Sequence, residues 1–243
     1  MEVNVDIGEG GLNDHIFMPH ISSCSIACGG HYGSFNTIKK TIKLALDHSV
    51  NVGSHPSYPD KMNFGRKSIS LNLNDLKESI RVQLLTFKKA LKYYSLPWHH
   101  CKAHGALYND MIKDEKITKA YFEVLKEFPE IEYIILPTGQ GIINTAKSYK
   151  YKVLREVFSD RYYNDDLTLV SRTKKSSIVH SKSLFLENLN FLLEGKINLS
   201  NKMKKKIFFD TICLHTDHER SIDFIKVLSK KIKKINEIKN LWK

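Results

Sequence analysis

Ionisable side chains recur in this sequence at the places where short apolar runs end. Two acids follow the first such run, single histidines accompany four others, and an Asp-Arg pair follows another. Carboxylates and imidazoles transfer protons in enzymes, and arginine holds carboxylates through a two-pronged contact. One histidine at such a place is usually structural, but this recurrence favours a shared site. The candidate site residues are Asp6, Glu9, His31, His55, His104, Asp160, Arg161 and His215.

A lysine joins this set in the segment His100-Cys101-Lys102-Ala103-His104. Alternate side chains of a β-strand share a face, so Lys102 and both histidines would point the same way. A lysine in a buried strand is costly unless it is paired or functional. We therefore predict that Lys102 holds a carboxylate or stabilises a developing oxyanion. The alternative is a misread strand with an exposed lysine.

These acids and imidazoles leave two kinds of chemistry open. Asp6, His55 and His104 would suit a divalent metal ion, and the same residues could act as acid and base without one. The sequence contains no GxxxxGK[ST] phosphate loop, no GxSxG serine-hydrolase motif and no HExxH zinc motif. Serine-hydrolase and HExxH zinc chemistry are therefore not expected.

The elements that would position these residues alternate along the chain between β-type runs and helical patterns. The expected strands are 3–7, 25–28, 50–55, 99–104, 131–136, 153–158 and 207–215. The expected helices are 34–48 with Ser34 as N-cap, 75–94 with Asn74 as N-cap, 113–128, one opened by the turn at 139–141, 183–193, and one from about 218.

Seven βα units without a linker predict an α/β fold, a parallel βα barrel that forms a single domain over residues 1–243. An open doubly wound sheet is the alternative. In a barrel the carboxyl ends of all strands lie at one rim. The candidate residues would then converge on one pocket.

Composition excludes several other classes of function. The formal charge of +12 comes mostly from lysines late in the chain, but no nucleic-acid recognition motif accompanies them, so no nucleic-acid partner is expected. No stretch approaches the roughly 20 apolar residues of a membrane span, and the first residues lack the features of a signal peptide. A cytoplasmic protein with reduced, buried cysteines is expected. The late lysines are Lys202, Lys204, Lys205, Lys206, Lys230, Lys231, Lys233 and Lys234.

Several stretches together carry a resemblance to a known family. They are Asn4-Val5-Asp6-Ile7-Gly8-Glu9, Ile26-Ala27-Cys28-Gly29-Gly30-His31, Gly53-Ser54-His55-Pro56-Ser57-Tyr58-Pro59-Asp60, Asn63-Phe64-Gly65-Arg66, Lys102-Ala103-His104-Gly105-Ala106-Leu107-Tyr108-Asn109, Glu156-Val157-Phe158-Ser159-Asp160-Arg161-Tyr162 and Cys213-Leu214-His215. In these residues the chain resembles the LamB/YcsF family, which provides the A subunit of bacterial ATP-dependent 5-oxoprolinase.

The resemblance implies an irregular seven-stranded βα barrel related in shape to sugar deacetylases. It also implies ATP-driven opening of the 5-oxoproline lactam to glutamate, in complex with the B and C subunits of that enzyme. ATP is the expected cofactor, held by this chain or by those partners. It points to the candidates named above and to Lys102 as site residues, and all of them except Arg161 are the expected catalytic groups. Arg66, Asn109 and Arg161 are the expected substrate-binding residues.

The chain departs from the family pattern at three places. Ser34 stands where the family usually has an acid, Ala103 replaces a proline, and the segment 216–221 lacks two glycines. Two alternatives stay open, the second of them because of the changes at Ser34 and 216–221. One is a stand-alone metal-dependent amide hydrolase or deacetylase, and the other is an inactive relative that serves as a binding partner.

Overall fold

Seven parallel strands close into a barrel, which confirms the predicted fold. The computed structural model describes residues 1–172, 174, 177–201 and 203–241, so Lys202 lies outside the described part. The barrel strands are β1 (Glu2–Ile7), β2 (Ser23–Ala27), β3 (Asn51–His55), β4 (His100–Lys102), β5 (Tyr133–Pro137), β6 (Val153–Phe158) and β9 (Thr211–Cys213). They follow chain order around the barrel, and β9 pairs with both β6 and β1 to close it.

Side chains alternate between the barrel interior and the surrounding helices. On β1, Val3, Val5 and Ile7 belong to the hydrophobic core. Asn4, between them, points inward and donates to the Thr211 hydroxyl at 2.8 Å. The apolar core therefore lies between the barrel and its helices, while the barrel interior is polar.

The fourth strand follows the predicted alternation. His100 and Lys102 are fully buried inside the barrel, and the ring of His100 lies 3.1 Å from the Ser25 hydroxyl. Cys101 points outward, where its sulfur lies 3.0 Å from the Tyr121 hydroxyl. Gly53 on β3 makes room for His100, because a Cβ at that position would come within 2.4 Å of the imidazole. The prediction of a buried lysine is confirmed, and the exposed alternative is wrong.

The helices are α1 (Asp14–Phe17), α2 (Phe35–Asp47), α3 (Leu73–Tyr93), α4 (Gly105–Lys113), α5 (Glu115–Leu125), α6 (Gln140–Ser148), α7 (Lys182–Leu193) and α8 (Ser221–Leu241), with a 3-10 turn at Met18–His20. Ser34 caps α2 as predicted, since its hydroxyl accepts from the Thr37 amide at 3.3 Å. Asn72, not Asn74, caps α3, because its side-chain oxygen accepts from the Asp75 amide at 2.9 Å.

The largest differences from the predicted elements lie at three places. Helix α4 was not predicted, and it begins directly after β4 at Gly105, whose φ is +56°. The expected helix 113–128 is shorter, running over Glu115–Leu125. The expected last strand 207–215 is also shorter, running over Thr211–Cys213, and it follows an antiparallel hairpin of β7 (Lys196–Asn198) and β8 (Lys204–Lys206) that was not predicted.

The remaining expectations concern the surface and the cysteines. On α8, Lys230, Lys233 and Lys234 are exposed and Ile232 is buried, as the spacing predicted. All cysteines are free and buried. None of the described helices is both long and apolar enough to cross a bilayer. The single domain over residues 1–243 and the cytoplasmic location stay predictions.

Candidate active site

The lysine of β4 lies inside the barrel between two carboxylates. Its Nζ is 2.8 Å from Asp6 Oδ1 and 2.8 Å from Glu156 Oε1, and its side chain is 1% exposed. Longer contacts join the same nitrogen to Asn4 Oδ1 at 3.5 Å and Cys213 Sγ at 3.4 Å. Strands β1, β4 and β6 supply the three charged groups, so closure of the barrel brings them together.

Burial and charge act in opposite directions on this ion cluster. Burial alone would lower the pKa of Lys102, but its carboxylate neighbours raise that pKa well above its usual value. Burial raises the pKa of Asp6, yet His55 and Lys102 outweigh it and hold that pKa well below its usual range. Burial raises the pKa of Glu156, and Lys102 only partly opposes this. Asp6 is therefore the ionised partner of a charged lysine.

Two imidazoles and a carboxylate meet beside the ion cluster. His104 Nδ1 is 3.0 Å from His55 Nε2 and 3.1 Å from Glu9 Oε1. His55 Nε2 is 3.8 Å from the same glutamate oxygen and 3.4 Å from Asp6 Oδ2. Each of these residues ends a barrel strand or closely follows one, so all of them lie at the carboxyl-terminal rim.

Main-chain carbonyls orient both imidazoles. His55 Nδ1 is 2.9 Å from the carbonyl oxygen of Lys102, and His104 Nε2 is 2.9 Å from that of Phe64. A carbonyl oxygen only accepts hydrogen bonds, so each of these ring nitrogens carries a hydrogen. In a neutral ring the other nitrogen then carries a lone pair. The two lone pairs, on His55 Nε2 and His104 Nδ1, face each other.

His31 contacts the Glu9 carboxylate from outside the cavity. Its Nε2 lies 2.8 Å from Glu9 Oε1, and its ring stacks on that of His104 with centroids 3.6 Å apart. Burial lowers the pKa of His31 to about 4, with Glu9 only partly opposing, so the neutral ring donates through Nε2. Burial raises the pKa of Glu9, but the contacts with His104 and His31 outweigh it and hold that pKa well below its usual value.

A second acid–imidazole pair lies across the rim. His215 Nδ1 is 3.0 Å from Asp160 Oδ2, and its ring stacks on Phe158 with centroids 4.8 Å apart. His218 Nε2 lies 3.7 Å from the same carboxylate. Burial lowers the pKa of His215. Burial raises the pKa of Asp160, but His215 outweighs it and the net pKa is lowered, so Asp160 orients the imidazole as an ionised acceptor.

Arg161 is built into the wall of the site. Its Nε donates to the carbonyl of Ser177 at 3.0 Å, and its Nη2 donates to that of Val170 at 2.6 Å. Burial, aided by Arg172, lowers the pKa of Arg161 to about 10, so the guanidinium is still charged at neutral pH. The main chain therefore holds a fixed positive charge at this wall.

One carboxylate joins three loops at the mouth of the site. Asp217, after β9, accepts from Arg66, after β3, and from Arg172, after β6, the latter at 2.8 Å. Burial raises the pKa of Asp217, but Arg172, His215 and Arg66 outweigh it and lower that pKa to about 2. An ionised Asp217 therefore connects two arginines that the sequence places far apart.

These groups surround a cavity of about 510 Å³ at the carboxyl-terminal rim. Two predicted residues, His31 and Asp160, lie behind the wall, where they contact Glu9 and His215. Asn109 Nδ2 donates to the Gly105 carbonyl at 3.1 Å, and its buried Oδ1 has no hydrogen-bond partner among the described residues. The predicted residues that line the cavity are Asp6, Glu9, His55, Arg66, Lys102, His104, Asn109, Arg161 and His215.

Several residues of the site were not predicted as site residues. Glu156 lies on a strand face that alternation could have identified as inward-facing, the same signal that singled out Lys102. Arg172 lies in the long connection between β6 and α7, where no sequence signal marks it. Asp217 belongs to the segment 216–221, which departs from the family pattern.

The structure changes the predicted metal set. Ligand atoms of Glu9, His55 and His104 all lie within 4.8 Å of one another. Asp6, predicted as the acidic member, instead makes its shortest contact with Lys102, at 2.8 Å. Glu9, which follows β1, takes its place, because its Oε1 lies 3.1 Å from His104 Nδ1 and 3.8 Å from His55 Nε2.

The three departures from the family pattern lie in different local settings. Ser34 is the N-cap of α2, a position that serine and aspartate fill equally well. Ala103 lies between Lys102 and His104 and contributes to the cavity wall. In the segment 216–221, Thr216 and Asp217 also line the cavity, so this departure changes the wall itself.

Comparison with known proteins gives a consistent result. The model of the family described as LamB/YcsF matches residues 1–241. The chain is 34% identical to the 5-oxoprolinase A subunit of Thermococcus sibiricus over 96% of its length and 93% of the relative's. It is 33% identical to the 5-oxoprolinase A subunit of Vibrio vulnificus strain YJ016, over 96% and 97% of the two chains. A lactam utilization protein from Thermus thermophilus superimposes with a TM-score of 0.88 and 26% identity, covering 97% of each chain.

Proposed function

Because the chain belongs to the LamB/YcsF family, we propose that it is the A subunit of an ATP-dependent 5-oxoprolinase. The proposed reaction is hydrolytic opening of the 5-oxoproline lactam to L-glutamate. The curated relatives are named as the A subunit of 5-oxoprolinase, which supports the B and C subunits as partners. The proposed setting is the cytoplasm, where ATP is available.

One observation carries the proposal. A single cavity of about 510 Å³ combines a buried lysine held between carboxylates, an imidazole pair beside Glu9, and arginines at its wall and mouth. Amide hydrolysis needs a group that activates water, a positive charge near the reacting oxygen, and a proton for the departing nitrogen. A small acidic lactam also needs a cation for its carboxylate. The cavity contains candidates for the water-activating group, the positive charge and the cation that binds the carboxylate.

ATP has a chemical purpose in this reaction because an unstrained lactam in water hydrolyses slowly and incompletely. In the proposed route ATP phosphorylates the lactam oxygen, and water then adds to the activated carbon. Breaking the ring C–N bond leaves an acyl phosphate and a protonated amine, and a second water releases phosphate to give glutamate. The sequence contains no GxxxxGK[ST] loop, so we assign the hydrolytic steps to this chain and leave the phosphoryl donor to the complex.

The residues receive roles that follow from their contacts. The group formed by His55, His104 and Glu9 activates water, because its lone pairs converge at the cavity wall. Lys102 supplies positive charge at the base of the cavity. Arg161 holds the substrate carboxylate, since the main chain fixes its orientation.

Two other residues complete the proposed binding of substrate. Asn109 Oδ1 accepts the lactam N–H, because a buried acceptor without a partner among the described residues is best matched by a donor. Arg66 at the mouth is the second cation for the carboxylate.

A second candidate function rests on the ligand atoms of Glu9, His55 and His104, which lie within 4.8 Å of one another. Such a set suits a stand-alone metal-dependent amide hydrolase or deacetylase. That enzyme would release its product without ATP and without partner chains. The ATP requirement of turnover therefore separates the two candidates.

The test is glutamate release from 5-oxoproline by the purified chain reconstituted with the B and C subunits, with and without ATP. We expect release only with ATP and the complete complex. His104→Gln should lower kcat by at least about 100-fold, the usual contribution of a group that activates water.

The matched control is His48→Gln. His48 is exposed just before β3 begins, at the opposite end of the barrel from the site, and its replacement should leave turnover unchanged. Absence of glutamate release by the complete wild-type complex would refute the proposed function. Unchanged turnover in His104→Gln would refute the assignment of water activation to this imidazole pair.

A further inference from the structure

The facing lone pairs of the imidazole pair require a positively charged group between them. The carbonyls of Lys102 and Phe64 accept from the outer nitrogens of His55 and His104, so both inner nitrogens are acceptors when the rings are neutral. These inner nitrogens are only 3.0 Å apart. Glu9 Oε1, a third acceptor, lies 3.1 Å from His104 Nδ1. Three acceptors at these distances repel one another unless a cation lies among them.

From this geometry we propose that His55 Nε2, His104 Nδ1 and Glu9 Oε1 bind one divalent transition-metal ion of the zinc type. This inference rests on the proposed function in one respect: the ion lies at the place in the cavity where we assign the activation of water. The ion would be the group that activates that water.

The spacing of the three atoms is also compatible with one shared metal ion. A tetrahedral ion with bonds of about 2.1 Å separates its ligands by about 3.4 Å. The three separations here are 3.0, 3.1 and 3.8 Å and bracket that value. A fourth position would face the cavity, which all three residues line, and it would be open to water or substrate.

The surrounding contacts are those that metal-binding residues use. A ligating histidine usually donates its other N–H to a carbonyl or carboxylate, which fixes the ring and its tautomer. Both imidazoles do this here, and His31 holds the Glu9 carboxylate at 2.8 Å. Two imidazoles and one carboxylate form a donor set that suits zinc and neighbouring ions.

Asp6 lies next to the proposed ion without belonging to its ligand set. Its Oδ2 is 3.4 Å from His55 Nε2, while Oδ1 is held by Lys102 at 2.8 Å. A carboxylate in this position can accept a proton from water bound at the open position. With the inner imidazole nitrogens occupied, Asp6 is the group that would act as general base.

The test measures Zn²⁺ binding to the full-length chain alone, after removal of metal with a chelator. Isothermal titration should give one ion per chain for wild type, and Co²⁺ in its place should give the visible absorption of a four- or five-coordinate site. Glu9→Gln and His104→Gln should each weaken binding by at least about 100-fold, and circular dichroism checks that both variants fold. The exposed control His48→Gln should bind like wild type.

The metal site would be refuted if wild type bound Zn²⁺ weakly, or if wild type and both ligand variants bound it equally. The positive charge between the imidazoles would then be a shared proton. This measurement uses neither ATP nor 5-oxoproline. A complex that binds metal but releases no glutamate would refute the proposed function and leave the metal site standing, and the reverse result would do the opposite.

Discussion

Replacing Lys102 with methionine should destabilise the protein by about 3–5 kcal/mol, because it leaves two buried carboxylates without their cation. The lysine Nζ lies 2.8 Å from an oxygen of each carboxylate. At an effective dielectric constant of about 20, two unit charges at this separation attract by about 6 kcal/mol. Burial of each charge offsets several kcal/mol of this attraction. Methionine fills the space of the lysine stem, so the charge is the main loss.

The loss should also depend on pH. Without the lysine, the pKa of Glu156, which burial already raises, rises further, and Asp6 loses one of the two groups that hold its pKa low. A carboxyl with a raised folded pKa favours folding when it is protonated, and this contribution disappears as the pH rises through that pKa. The difference in stability between wild type and Lys102→Met should therefore be larger at pH 7.5 than at pH 5.

Guanidinium unfolding at both pH values measures these differences. The matched control is Lys152→Met, whose lysine is 68% exposed and lies 3.7 Å from Glu132, and which should lose less than about 1 kcal/mol. Adding Glu156→Gln to Lys102→Met should restore part of the stability, since one of the two uncompensated carboxylates is removed. Equal losses for the two lysine variants, or a loss that does not change with pH, would refute the account of a buried ion cluster.

Two further predictions concern the loops that carry the site. Gly105→Ala should cost at least about 1 kcal/mol, because the backbone there has a φ of +56° and a Cβ would lie 2.5 Å from the Gly65 carbonyl oxygen. Gly141→Ala, with nothing within 4 Å of its Cβ, should melt at or above the wild-type temperature, and equal melting of the two variants would contradict the reasoning. Asp217→Asn should lose about 1–2 kcal/mol at pH 7, because Arg172, with its neighbours, lowers the pKa of Asp217 to about 2. A carboxyl with a lowered folded pKa stabilises the protein above its unfolded pKa and loses this contribution as the pH falls through the folded pKa, so the difference should shrink below about pH 4 and be mostly gone at pH 2. A difference that is undiminished at pH 2 would exclude the ion pair as its origin.

The fold could be predicted because it depends on local patterns. Alternation on strands and helical spacing between them predicted seven βα units, and Ser34 marked the start of α2. Boundaries were less predictable where local signals compete. Asn72 and Asn74 are both residues of a type that caps helices. Asn72 is the cap because its backbone is extended and the helix begins at the next residue, Leu73. The β7–β8 hairpin was not predicted, because the three exposed lysines of β8 show no alternation of apolar and polar residues.

The sequence by itself determined which strand ends carry chemistry and that Lys102 faces the same side as its neighbouring histidines, because both follow from periodicity and from the common rim of parallel strands. Only the tertiary structure decided which of these groups touch. Asp6 and Glu9 are three residues apart, yet one pairs with the buried lysine and the other meets the imidazoles. Loop residues such as Arg172 and Asp217 have no period that fixes their direction, so their contact depends on how three separate loops pack over the rim.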